Sequence, residues 1–136
     1  MQTISEQQQD LMAGRTSSRG LVDEALARID NPAGEGARTF IRVFRDEALA
    51  VADAADSLRR YGIVPSPMAG VPVAVKDLCD VRGVTTLAGS ACRNEAPAAA
   101  QDAPVVARLR AAGAIIIGTT NMNEFALGIT GVNPHY

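Results

Sequence analysis

Lys76 ends the apolar run Val73, Ala74, Val75 inside the stretch GVPVAVKDLCDV. An ammonium drawn out of water at the inner end of a strand is costly unless it finds a partner or gives up its proton. Burial lowers a lysine pKa by several units from about 10.4. A neutral amine so produced is a competent general base toward a hydroxyl. The alternative is a lysine whose stem crosses the sheet edge while its ammonium reaches water or Asp77. Position alone leaves both open.

Other chemistries are narrowed by what the chain contains. His135 is the single histidine, so a Ser-His-Asp triad, a Cys-His pair or a His-rich metal site would each have to use it. It reads as a loop imidazole. No GxGxxG, Walker A or HExxH sequence occurs. The SxxK arrangement is absent as well, because Val73 stands three residues before Lys76. Ser5, Ser17, Ser18, Ser57 and Ser66 fall at caps, turns or helix surfaces. Ser90 alone lies near the strand rim, and it reads as a turn residue. Cys79 and Cys92 lack CxxC spacing and read as two reduced core thiols of a cytoplasmic protein. The chain thus offers a base without its nucleophile, and no metal or cofactor site.

The elements that must position Lys76 are legible in the pattern. Ile4 to Ala13 is weakly helical up to Gly14. Ser17 or Ser18 caps a second helix, with Leu21, Val22, Ala25, Leu26 and Ile29 on one face. Asn31, Pro32, Gly34 and Gly36 end it. Arg38 to Phe44 reads as a strand with Phe40, Arg42 and Phe44 on one face and Ile41 and Val43 on the other. An alanine-rich helix follows from Asp46 to Tyr61. Val71 to Lys76 is a strand, and VRGVTTLAGS after it is turn-rich. Asp102 is expected to cap a helix with Pro104 early in it and Val105, Val106, Leu109 and Ala112 as its buried stripe. Ala114 to Gly118 is a strand apolar throughout, as suits a sheet covered on both faces. Strand, helix, strand implies a right-handed parallel βαβ unit. Lys76 and the expected Gly118-Thr119-Thr120-Asn121 turn then share the C-terminal rim, where reactive groups gather.

Composition sets the outer bounds. The chain has 136 residues, 47% apolar and 21% charged, enough for one core. A net charge of −2 provides no footprint for nucleic acid or an anionic membrane. No apolar run approaches the roughly 18–20 residues that span a bilayer. MQTISEQQQD has neither the basic nor the apolar region of a secretory signal, so a cytoplasmic address is expected.

GVPVAVKDL (Gly70 to Leu78), GVTTLAGS (Gly83 to Ser90), DAPVVARLRAAGAIIIGTTNMNEFALG (Asp102 to Gly128) and GVNPHY (Gly131 to Tyr136), in this order, resemble the amidase signature family. GRTSSRGLVDEALARID is similar to the family's leading helix. The resemblance implies an α/β fold, the N-terminal portion of the α/β/α architecture around a mixed sheet. Residues 1–136 would form the N-terminal part of a single amidase domain, helical over 1–62, with the strand-helix-strand unit that carries the lysine over 70–136. It implies hydrolysis of an amide or ureido C–N bond of a small molecule, with no cofactor or metal. Lys76 is the residue that matches the family's catalytic lysine. It would stay buried and neutral and relay a proton through a cis-serine to a nucleophilic serine, giving an acyl-enzyme. Both serines belong to a GGSSGG-like segment that follows the region matching GVNPHY, and the sequence in hand stops at Tyr136. The chain alone is therefore expected to be inactive. NEFALG would run as a short helix beside the cleft, with Ala126, Leu127 and Gly128 lining the acyl pocket. The competing readings are the glutamine-hydrolysing component of a tRNA-dependent amidotransferase and a non-catalytic binding or assembly module. A homodimer or a small partner subunit fits any of these.

Overall fold

The computed structural model describes residues 2–136. The chain runs α1 (Ile4–Met12), α2 (Ser18–Asp30), α3 (Gly36–Thr39), β1 (Phe40–Val43), α4 (Arg45–Arg60), β2 (Pro72–Lys76), α5 (Pro104–Ala111) and β3 (Ile115–Thr120). Single 3₁₀ turns lie at Ala91–Arg93 and Glu124–Ala126. No helix among the described residues is long and apolar enough to cross a membrane.

β3 is the centre of a three-stranded mixed sheet, ordered β1-β3-β2, antiparallel to β1 and parallel to β2. Its apolar run is explained by cover on both sides. Ile115 and Ile117 pack with Val22 and Leu26 of α2 and with Ala48 and Ala52 of α4. Ile116 packs the other way, with Val75, Val81 and Val106 of α5. The two helices on the first side are locked together by a carboxylate. Asp56 of α4 accepts the N–H groups of Ser18 at 2.7 Å and Arg19 at 2.9 Å, donors that the start of α2 leaves open. Ser17 completes the cap by accepting the Gly20 N–H at 3.0 Å.

Several expectations are corrected. The segment from Gly118 to Thr120 is strand rather than turn, because its backbone keeps pairing with both neighbours up to Thr120. The first strand is shorter than Arg38 to Phe44, since Gly36–Thr39 forms a helical turn. Its four residues are all half-buried, as befits an edge strand whose register shifts between Phe40 and Arg42. Asp102 does not cap α5. It accepts the Arg82 N–H at 2.8 Å and pairs with Arg110 at 3.2 Å, leaving Ala103 at the cap position. Val105 is exposed and Val106 fully buried, because α5 touches the sheet along a narrow line. Both cysteines are free, yet Cys92 is exposed on its surface turn and only Cys79 borders the core.

Gly118 shows why the sheet closes as it does. It pairs with Val43 on one side and, on the other, with Ala74, where the register of β2 shifts between Val73 and Ala74. A Cβ at this position would lie 2.3 Å from the Arg42 carbonyl oxygen. Gly118→Ala should therefore cost about 1–3 kcal/mol through forced backbone displacement. Thermal melting of the variant checks this, and an unchanged midpoint would mean that β1 moves aside freely.

Candidate functional site

Lys76 is the last residue of β2 and pairs with Thr120 in the parallel ladder. The Asp77 N–H continues that pairing, donating to the Thr120 carbonyl at 3.1 Å, and the Lys76 carbonyl accepts the Cys79 N–H at 2.9 Å. The strand end is thus held on both sides of the lysine. The expected burial of the ammonium is not met within residues 2–136. Lys76 is exposed, because β2 is an edge strand and its side chain stands away from the core that Val75 enters.

Asp77 takes the opposite course. It is 1% exposed, and rather than meeting Lys76 its Oδ2 accepts the Gly89 N–H at 3.2 Å. Desolvation pushes its carboxyl above the ordinary aspartate value, against the pull of the Gly89 and Leu87 amides and the Arg42 charge. The Thr119 hydroxyl lies close enough to favour the carboxylate too, without completing a hydrogen bond.

Ser90 is fully buried and acts as a cap, accepting the Cys92 N–H at 3.3 Å. Its hydroxyl donates to Glu124 Oε1 at 2.5 Å. His135 Nε2 lies 3.8 Å from the same Glu124 oxygen. Serine, carboxylate and imidazole meet here in an order that cannot activate the serine. The acid stands between the other two, so the imidazole has no direct path to the hydroxyl proton. The turn role expected of Ser90 agrees with this geometry.

The segment after β3 folds back onto the 88–94 loop. Phe125 N–H donates to the Ala88 carbonyl at 2.8 Å, and Asn133 Nδ2 donates to the carbonyls of Gly89 and Met122, each at 2.7 Å. The Tyr136 hydroxyl donates to Asn94 Oδ1 at 2.9 Å. NEFALG is not a regular helix. Only Glu124–Ala126 makes one 3₁₀ turn, and Phe125 (φ 50°) and Ala126 (φ 59°) are left-handed. Leu127 is 84% exposed, and Gly128, at φ 147°, leaves the turn beside the Asn123 amide. The structure therefore gathers Lys76, Asp77, the 87–90 loop and the 122–136 segment at one rim. Sequence reasoning missed Asp77, Glu124 and Asn133. An acid directly after a strand-ending lysine was the available sign for Asp77, while the roles of the other two depend on contacts distant in sequence.

A family model described as Amidase matches residues 20–136. The chain is 47% identical over 130 residues to AtzE of Pseudomonas sp. (strain ADP), a component of 1-carboxybiuret hydrolase, covering 93% of this chain and 27% of that protein. It is 42% identical over 134 residues to a component of the glutamyl-tRNA(Gln) amidotransferase of Chromohalobacter salexigens, covering 98% of this chain and 27% of that protein. Among solved structures, one from a vestigial protein complex bearing on the origins of an s-triazine catabolic enzyme superposes with a TM-score of 0.91 at 45% identity, over 99% of this chain and 29% of that one. The native peptide amidase from Stenotrophomonas maltophilia superposes at 0.78 with 34% identity, over 90% of this chain and 25% of that one. The chain spans about a quarter of the length of the curated relatives it matches.

The raised Asp77 pKa has a consequence with a definite sign. The folded state holds this proton more tightly than the unfolded chain does. Its contribution is therefore most favourable at acid pH and is lost as pH rises through the raised value. Asp77→Asn, which cannot ionise, should melt higher than the unsubstituted protein at neutral pH, with the gap closing on acidification. Parallel melting curves across pH check this; a constant gap would show that the carboxyl is not strained by burial.

Proposed function

The chain belongs to the amidase family, and from that premise we propose that it works as the N-terminal part of an amidase domain that hydrolyses a small amide or ureido compound, with Lys76 as the base. The observation that carries this is the place of Lys76. It ends a strand of the parallel pair, at the C-terminal rim, within a segment matched by the family over residues 20–136. In the reaction, the neutral amine takes a proton relayed through one serine as a second serine attacks the carbonyl carbon. The C–N bond then breaks, the amine departs with a proton, and water hydrolyses the acyl-enzyme. By family resemblance both serines lie in a Gly/Ser-rich segment beyond residues 1–136.

The exposure of Lys76 sharpens the requirement. A neutral amine needs desolvation, so the base is formed only when further chain or bound substrate covers this rim. Ala126, Leu127 and Gly128, on the same rim, are proposed to border the acyl group. The exposed Leu127 supplies apolar surface for it. A cytoplasmic address is supported by the two free thiols.

A second reading is favoured by the 42% identity to the amidotransferase component. The same base would then release ammonia from glutamine, alongside a partner subunit. Ammonia release from glutamine, set against turnover of ureido and simple amide compounds, separates the two.

In the full-length enzyme Lys76→Ala should lower kcat by about 10²–10⁴, the usual worth of a general base, with a smaller effect on KM. Lys76→Arg should fail nearly as badly, because a guanidinium keeps its proton. Near-normal kcat in Lys76→Arg would overturn the assignment. Residues 1–136 expressed alone should turn over no amide, since the nucleophile is expected elsewhere. Turnover by this segment, freed of any longer enzyme, would show that a residue within it can attack.

A further inference from the structure

Asp77 is buried although nothing about strand β2 requires an acid there, and a carboxylate withdrawn from water is costly unless its bonds are made. What it does with those bonds is specific. Its carbonyl accepts the Ala88 N–H at 2.9 Å, and its carboxylate accepts the Gly89 N–H at 3.2 Å. The other two polar groups of the same dipeptide turn outward. The Ala88 carbonyl accepts the Phe125 N–H at 2.8 Å, and the Gly89 carbonyl accepts Asn133 Nδ2 at 2.7 Å. All four backbone groups of Ala88 and Gly89 are thus used, two toward the residue after Lys76 and two toward the segment after β3.

The turn itself is under strain. Ala88 is left-handed at φ 53°, a conformation that an alanine keeps only when its surroundings outweigh the cost. Gly89 admits no side chain, since a Cβ would lie 2.8 Å from both the Met122 carbonyl oxygen and Asn133 Nδ2. Downstream, Phe125 and Ala126 are left-handed as well. That run is tied to the Ala88-Gly89 turn through the Phe125 N–H and to the adjacent Ser90 through Glu124.

We infer that Asp77 is a positioning residue of the amidase reaction, its carboxylate and carbonyl setting the Ala88-Gly89 turn, and through it the 122–133 segment, against the strand end that carries Lys76. This rests on the reading of Lys76 as the base. Loss of the carboxylate leaves the Gly89 N–H without its partner, the turn relaxes, and the Phe125–Gly128 stretch shifts relative to Lys76. Displacements on the scale of an ångström are enough to cost about 10²-fold in rate.

The test uses the full-length enzyme, with kcat and KM measured per folded molecule below the melting temperature of each variant. Asp77→Ala should lose about 10²-fold in kcat/KM. Asp77→Asn, whose amide oxygen still accepts the Gly89 N–H, should recover most of that loss. If Asp77→Ala keeps unsubstituted kcat/KM and only melts lower, the inference is overturned, and equal loss in both variants overturns it too by making charge the cause. If Asp77→Ala does not fold, Asn133→Ala removes the turn's outer side-chain bond and should produce a loss of the same kind. Unsubstituted turnover in Asn133→Ala then overturns the inference. Lys76→Arg is assayed alongside. An inactive Lys76→Arg with a fully active Asp77→Ala defeats only the positioning role, whereas an active Lys76→Arg defeats the reading of the base and this inference with it.

Discussion

Ile115, Ile116 and Ile117 are consecutive, apolar and nearly inaccessible, so β3 must be covered on both faces at once. That single requirement organises the rest. One face takes α2 and α4, joined by Asp56 and brought close by the small side chains of Ala48 and Ala52. The other takes α5, through Val106, and Val81 of the loop that follows β2. With both faces closed, the strand can be approached only along its edges. β1 and β2 fill these in opposite directions, β2 shifting register at Gly118 and β1 farther along, opposite Thr119 and Thr120.

The site inherits its geometry from this arrangement. Pairing Lys76 with Thr120 puts the end of β2 beside the chain that leaves β3, so two segments far apart in sequence emerge at one place. Neither is regular beyond that point, and polar side chains take over from the ladder. Asp77 and Asn133 bind opposite sides of the Ala88-Gly89 turn, while Ser90 reaches Glu124. Left-handed conformations at Ala88, Phe125 and Ala126 mark the same region, which these hydrogen bonds hold in place.

Similarity to AtzE and to the amidotransferase component, at 47% and 42% identity, indicates what this scaffold is used for elsewhere. Both relatives are about four times longer than the matched stretch. Residues 2–136 shape the strand end and leave Lys76 exposed on it.

The amino-acid order alone was enough for the helices with a clear apolar face, for the two parallel strands and for Lys76 at a strand end. These depend on periodicity and on breakers such as Gly14, Pro32 and Gly34, which act over a few residues. The family resemblance was legible for the same reason, being carried by contiguous stretches. What local order could not settle was the fate of polar groups whose partners are distant. Asp102 looked like a helix cap and instead accepts the Arg82 N–H and forms an ion pair with Arg110. Gly118 to Thr120 looked like a turn and instead pairs on both sides. Lys76 ends an apolar run and yet stands outside, while Asp77 beside it is the buried charge. Alternation along a strand sends neighbouring side chains opposite ways, but only the packed structure decides which way is in.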